Sequence, residues 1–250
     1  MTTRKRGVQG ELPCPKTWGG RRKGAGRKAG TGRRNVAHRA RPVHSERHPV
    51  HVTLRSMFRP LRSQHVFPTV CLAIRGATQR APERFRVLHF SVQWDHVHHV
   101  VEASDKRALS AGVRGVSIRL ARYVNELLVR RGRFWADRWH GRALTSPRQV
   151  RQVLVYVFGN FRKHSRRALA RGVDAYSSGV AFDGWRKLTS GADPPVVAGP
   201  SHEAMGAEVV VGVSKTWLGG VGWRRAGLIG VDEAPLASVS EQAPKAEILG

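Results

Sequence analysis

The chain has 250 residues, and its 44 Lys and Arg against 17 Asp and Glu give a formal net charge of +27. This length accommodates one domain of ordinary size with tails. The charge favours a polyanionic partner, and nucleic acid is the first candidate because each neutralised phosphate releases a counterion. An anionic membrane surface is the weaker candidate, and the prediction is that the protein has no membrane partner. No apolar run approaches the roughly 20 residues of a membrane-spanning helix, and none of signal-peptide type follows the basic N-terminus. Cys14 and Cys71 lack metal-ligand spacing and indicate free thiols in a reducing compartment.

Composition divides the chain into four parts. Residues 1–48 contain 14 Lys or Arg, only two acids and many interleaved glycines. Such a segment cannot bury enough apolar surface to offset its chain entropy, so we predict a disordered basic arm. We expect a catalytic domain over 49–165, a loop-rich extension over 166–230 that packs back onto it through apolar residues around Trp217 to Ile229, and a disordered tail over 231–250.

Hydrophobic periodicity in the first half of the domain predicts strands separated by one helix. In chain order these elements are a strand over 49–55, a helix over 62–79 interrupted by Pro68, a strand over 88–94, a turn at Asp95, and a strand over 97–102. The last two strands follow each other through a short turn, so we expect them to pair antiparallel.

The second half begins with the most regular apolar stripe in the chain, which predicts a helix over 106–131 that Gly132 stops. An extended segment is predicted over 133–140. A final helix begins at Ser146-Pro147, with Ser as its N-cap, and runs to about His164. The order β-α-β-β-α-β is that of the ferredoxin-like, split βαβ fold. We therefore predict an α+β domain, an antiparallel sheet with helices on one face, plus a C-terminal helix.

Two histidines on the third strand are candidate metal ligands. His96 and His98 are two residues apart, so their side chains point to the same face of a strand, while His99 points to the other. Two imidazoles on one face can chelate a divalent cation. A chain with twelve histidines also produces such pairs without function.

The three tyrosines differ in their surroundings. Tyr123 lies beside the stripe of the long helix and is expected in the core, and Tyr176 lies in a Ser/Gly loop. Tyr156 lies just beyond the buried stripe of the last helix, with Asn160 one turn later on the same side. The Asn160 amide oxygen could complete a set of two imidazoles and one amide. An interfacial Tyr and an Asn near a helix end remain the alternative reading.

Three segments together carry a family resemblance. The string from Gln93 to Glu102 resembles the His-hydrophobe-His strand of the single-tyrosine HUH transposases, and Arg148 to Asn160 resembles their nucleophile helix. The stretch 131–140 resembles a strand of the same group. Within that group, the chain is most similar to the REP-associated tyrosine transposases, which act on repetitive extragenic palindromes. The resemblance covers about residues 48–165, and Gly159 departs from it by weakening the helix just before Asn160.

The resemblance implies an enzyme with Tyr156 as its nucleophile. His96, His98 and Asn160 would hold Mg²⁺ or Mn²⁺. The substrate would be single-stranded or hairpin DNA, cleaved and rejoined through a 5′-phosphotyrosine. One tyrosine per chain makes a homodimer possible. The family implies a bacterial-type protein located in the cytoplasm at the nucleoid.

Basic residues outside this site are candidates for DNA contacts. They are Arg114, Arg119, Arg122, Arg133 and Arg138. Trp135 and Trp139 could stack on unpaired bases or belong to the core. Three alternatives remain: a degenerate or domesticated protein that binds hairpins without cutting them, an RNA-binding protein, and a metal hydrolase without a covalent step.

Overall fold

The computed structural model describes residues 43–164, 172–197, 199–200 and 210–234. Most of the predicted basic arm (1–48), including Cys14, and most of the predicted tail (231–250) lie outside these residues. Within the described ranges, no helix is both long and apolar enough to cross a membrane.

Four strands form one sheet in the order β2-β3-β1-β4, and every neighbouring pair is antiparallel. Their bounds are Val50–Arg55 for β1, Phe85–Val92 for β2, His96–Ala103 for β3 and His140–Ala143 for β4. Between β2 and β3 the chain turns at Asp95, as predicted. The strand order and the intervening helices confirm the predicted α+β, ferredoxin-like fold.

Helices cover both faces of this sheet. The first two, α1 (Phe67–Arg80) and α2 (Lys106–Leu127), pack against one face, and α3 (Pro147–Gly159) packs against the other. Neighbouring strand residues divide accordingly: Val101 belongs to the α1/α2 core and Val100 to the α3 core. β2 and β3 are therefore buried on both sides, and the functional side chains predicted on β3 lie under α3.

Ser146 begins α3 as predicted, since its side chain accepts a hydrogen bond from the Gln149 backbone N–H. The helix ends at Gly159, earlier than the predicted His164, and Asn160 is its C-cap. A separate short helix, α4 (Phe161–His164), follows. The glycine therefore marks the boundary between two helices.

Two other predicted helix boundaries were wrong. α1 begins at Phe67 and not at residue 62, because Pro68 occupies the first turn, where its missing N–H has no intrahelical partner to lose. α2 ends at Leu127, before Gly132 with its φ of +95°.

The predicted 133–140 strand is mostly absent, and only Trp135 forms an isolated bridge, to Ser56. Two backbone hydrogen bonds join this segment to the end of β1, from the Met57 N–H to the Phe134 carbonyl and from the Ala136 N–H to the Arg55 carbonyl. Side-chain hydrogen bonds also hold it: the Trp135 indole donates to the Ser117 carbonyl, and Arg133 donates to the Trp135 and Ala136 carbonyls. The edge strand starts only at His140.

The described part of the C-terminal extension packs against α3. Leu218, Trp223 and Ile229 are buried in the α3 core, whereas Trp217 and Leu228 are exposed. The carboxylate of Glu102 on β3 accepts hydrogen bonds from the backbone N–H groups of Lys215 and Thr216. The extension therefore forms an outer layer over α3, anchored to the sheet by a buried carboxylate.

Burial of His89 makes stability depend on pH. Its ring lies between Phe158 and Phe182, with centroids 5.5 and 5.3 Å away. Burial lowers the pKa of His89 from 6.5 to about 4, although Asp183 and Glu102 act in the opposite direction. Below pH 6.5, His89 is protonated in the unfolded chain but stays neutral in the folded chain. The free energy of unfolding therefore falls as the pH drops towards 4.

Between pH 7 and pH 5, the free energy of unfolding should fall by about 1–2 kcal/mol less in His89→Leu than in the wild type. Urea unfolding at both pH values measures this difference. The same change at exposed His65 is the control. An unchanged pH dependence in His89→Leu would show that the imidazole is protonated equally in both states.

Candidate functional site

His96 and His98 begin β3 on the face that α3 covers. The sheet register places His98 opposite Thr53 and His96 opposite Arg55, with β1 as the neighbouring strand. His98 is 3% exposed. His99 points to the other face, towards α1 and α2, as strand alternation predicts. The two histidines on the site face are therefore held by the sheet and enclosed by the helix.

The Nδ1 atoms of both rings have partners in the protein. His96 Nδ1 lies 2.7 Å from a carboxylate oxygen of Asp95, and His98 Nδ1 lies 3.1 Å from the Thr53 hydroxyl. Because a carboxylate only accepts, the Asp95 contact assigns a proton to Nδ1 of His96, and in the neutral ring the lone pair is then on Nε2. The Thr53 contact allows the same tautomer for His98. Such Nδ1 partners are typical of imidazoles that ligate metals through Nε2.

Asp95 is suited to this role because it stays ionised. Burial acts to raise the pKa of Asp95, but the hydrogen bond from His96 and the charges of Arg55 and Arg59 hold it below its usual value. Arg59 lies 3.1 Å from the carboxylate. The turn between β2 and β3 therefore carries a fixed acceptor for the His96 ring.

Asn160 completes the site from the opposite side. As the C-cap of α3 it is 1% exposed, and its amide nitrogen lies 3.1 Å from His98 Nε2 and 3.5 Å from His96 Nε2. The amide N–H groups thus meet the two imidazole lone pairs. Rotation of the amide by half a turn would present Oδ1 at the same place.

Two imidazole Nε2 atoms and the Asn160 amide nitrogen therefore lie together, and the sequence predicts these three residues as metal ligands. Two imidazole nitrogens and one amide oxygen are ligand types that Mn²⁺ and Mg²⁺ accept, with imidazole favouring Mn²⁺. In the described part of the chain, no cluster of three or more His, Cys, Asp or Glu is arranged to hold a metal. Asn160 is therefore the residue that would add an oxygen ligand to the two imidazole nitrogens.

Tyr156 lies one turn before Asn160 and faces the same site. Its ring centroid is 5.1 Å from that of His98, in an edge-to-face arrangement. The side chain is half-buried, and burial raises the pKa of the Tyr156 hydroxyl above its ordinary value near 10. The phenol is therefore protonated at neutral pH. The other two tyrosines lie elsewhere: Tyr123 packs against the α1/α2 core, and Tyr176 packs against Phe67 and Arg62.

His51 belongs to this site, although the sequence reasoning did not single it out. Its Nε2 lies 3.2 Å from His98 Nδ1, and its ring centroid is 5.9 Å from that of Tyr156. Burial, together with His140 and Arg142 nearby, lowers the pKa of His51 to about 4, so the ring is neutral at pH 7. The sequence pattern that could have predicted this position is the polar face of β1, where His51 and Thr53 alternate with valines.

A buried ion pair holds the chain beside Asn160. Arg62 makes two hydrogen bonds to the Asp174 carboxylate, at 2.6 and 2.9 Å, and its guanidinium lies over the Phe161 ring. The adjacent Arg162 donates to the Gly172 and Val231 carbonyls. The residues after the α3 C-cap are therefore fixed by the C-terminal extension.

The five arginines predicted to contact DNA do not form one cluster. Arg114 and Arg138 line a common cavity, and Arg122 is exposed on α2. Arg119 donates to the Gly115 carbonyl of its own helix, while Arg133 donates to two carbonyls of the 135–136 segment. Trp135 and Trp139 are both partly buried against the α1/α2 core.

No protein-family model matches this sequence, and no curated protein matches it. Among solved structures, the chain is similar to a REP-associated tyrosine transposase bound to a REP hairpin, with 15% sequence identity and a TM-score of 0.45. The match covers 57% of this chain and 82% of that protein. At this level of similarity, the side chains of the site, and not the match, carry the functional conclusion.

We expect Asn160→Ala to destabilise the fold by about 1–3 kcal/mol, because two enclosed imidazole nitrogens would lose their donor. Urea unfolding measures the change. Gln152→Ala, a half-buried amide on the same helix, is the matched control. Equal unfolding midpoints for the two variants would mean that the contacts of Asn160 contribute no net stability.

Proposed function

We propose that this protein is a metal-dependent single-stranded-DNA endonuclease and strand transferase that acts through Tyr156, as a DNA transposase does. The observation that carries the proposal is the position of the Asn160 amide between the Nε2 atoms of His96 and His98, with the Tyr156 ring directly beside them. A half-buried tyrosine and a buried asparagine that face two imidazoles would provide a nucleophile and a cation site in one cleft.

His96, His98 and Asn160 would hold the divalent cation, Mg²⁺ or Mn²⁺. When bound, it would polarise the scissile phosphate and neutralise charge on its oxygens. Asp95 and Thr53 orient the two rings through Nδ1, so that both Nε2 lone pairs stay directed at Asn160. The protein therefore supplies the orientation of the two rings.

The covalent step exchanges one phosphodiester bond of the DNA for a bond to Tyr156. The Tyr156 oxygen attacks the phosphorus and loses its proton, the bond from phosphorus to the 3′-oxygen breaks, and the departing 3′-oxygen is protonated. The products are a 5′-phosphotyrosine and a free 3′-hydroxyl. Because the new bond conserves the energy of the phosphodiester, another 3′-hydroxyl can reverse the step and join a different strand.

The substrate class follows from charge and from access to the phosphate. A net charge of +27 attracts nucleic acid, and a half-buried tyrosine reaches a phosphate more readily on an unpaired strand than within a duplex. The motif resemblance adds the palindromic hairpin as the proposed recognition element. Since each chain offers one Tyr156, two simultaneous breaks require two subunits or two successive reactions.

We expect wild-type protein with Mn²⁺ and a labelled single-stranded hairpin to give a covalent protein–DNA adduct on a denaturing gel. Tyr156→Phe should abolish the adduct, because the ring without its hydroxyl retains the packing but not the nucleophile. Tyr123→Phe, a tyrosine at the core, is the control. Cleavage that persists in Tyr156→Phe would replace the proposal with a metal hydrolase, and binding without cleavage would favour a degenerate hairpin-binding protein.

We expect His96→Ala to weaken Mn²⁺ binding at least tenfold, since one of three ligands is lost. Titration of free Mn²⁺ by electron paramagnetic resonance measures this without any DNA. His65→Ala removes an exposed histidine elsewhere and should leave the affinity unchanged. Equal Mn²⁺ affinity in both variants would place the cation site away from β3.

A further inference from the structure

A cavity of about 560 Å³ lies on the α1/α2 side of the sheet, away from the Tyr156 site. Its walls are the outer surface of α2 and the segment that leads into β4. The lining residues are Leu54, Arg107, Ser110, Ala111, Arg114, Ser117, Asp137, Arg138 and Trp139. We call it the Trp139 cavity. Its volume falls within the range of small-molecule sites.

The Trp139 cavity is basic and has one aromatic wall. Three arginines and one aspartate leave it with an excess of positive charge. Arg107 and Arg114 are both exposed and lie two turns apart on α2, so their guanidinium groups are accessible to an anion. Two serine hydroxyls add neutral hydrogen-bonding groups. The arginines, the hydroxyls and the indole together fit an anionic ligand that carries a flat ring.

Trp139 is held in place by a glycine. A Cβ atom built on Gly141 of β4 would lie 2.4 Å from the Trp139 ring, so the indole packs directly against the strand backbone. Any larger residue at position 141 would displace the ring. The indole is therefore a pre-positioned surface, and a base that stacks on it need not order a mobile side chain.

The exposed strand β4 connects this cavity with the Tyr156 site. Its residues His140 and Arg142 are exposed, and they pair with Thr53 and His51, which contact His98. Leu54, which lines the cavity, follows Thr53 on β1 and points to the other face of the sheet. A strand leaving the Tyr156 site could cross this basic edge and reach the cavity on the far side.

We propose that the Trp139 cavity binds one unpaired nucleotide of the strand that is cleaved, with its base on Trp139 and its phosphate between Arg107 and Arg114. This assignment deepens the proposed function and rests on it for the identity of the strand. A duplex cannot place a base on Trp139, since its bases are already stacked on one another. The cavity therefore selects DNA that is single-stranded beside the scissile phosphate.

Photo-cross-linking tests the proposal independently of cleavage. In Tyr156→Phe protein without metal, a single-stranded oligothymidylate carrying one 5-iodouracil is irradiated, and the cross-linked peptide is identified by mass spectrometry. We expect the cross-link at Trp139, and none with a blunt duplex that contains the same 5-iodouracil. A cross-link at another aromatic residue, or an equal yield from the duplex, would overturn the assignment.

A binding measurement checks the phosphate contact. In the same Tyr156→Phe background, Arg114→Gln should weaken oligothymidylate binding and reduce the slope of log K against log salt by about 0.7, the value for one single-strand phosphate. Arg80→Gln, which removes an exposed charge at the end of α1, is the control and should leave the slope unchanged. Equal slopes for the two variants would overturn the proposal. Adduct formation by the wild type is scored separately, so loss of the cavity and loss of the chemistry are distinguishable.

Discussion

Two imidazole rings can remain enclosed at the start of β3 only if the lone pairs on their inward nitrogens find a donor. Asn160 supplies that donor to both His96 and His98. The contact requires the end of α3 to lie across the polar face of the sheet, at the level of the first residues of β3. Once α3 is placed there, Tyr156, one turn earlier, must face the same cleft.

The placement of α3 depends on layers outside the sheet. Its buried face packs against Leu88 and Val100, and its outer side is covered by the C-terminal extension through Trp223 and Ile229. Beyond the C-cap, Arg162 donates to carbonyls of that extension. The helix is therefore confined from both sides, and the cleft owes its geometry to residues more than sixty positions after Tyr156.

Charged arginines lie at the surface of α2, and uncharged histidines lie inside the sheet. Arg107, Arg114 and Arg122 are exposed on α2. Burial, in contrast, keeps two histidines inside the sheet uncharged at pH 7, because it lowers the pKa of His51 to about 4 and that of His99 to about 3. A basic exterior attracts phosphates at long range. A neutral imidazole, in contrast, keeps the lone pair that hydrogen bonding or metal ligation requires.

Local periodicity determined the element order, the shared face of His96 and His98 and the shared side of Tyr156 and Asn160, because these properties depend only on residues a few positions apart. The sequence did not predict that β4 begins at His140, nor that Asn160 reaches both histidines. Strand register, the docking of α3 and the side-chain anchors of the 133–136 segment decided these, since each depends on contacts between residues far apart in the chain.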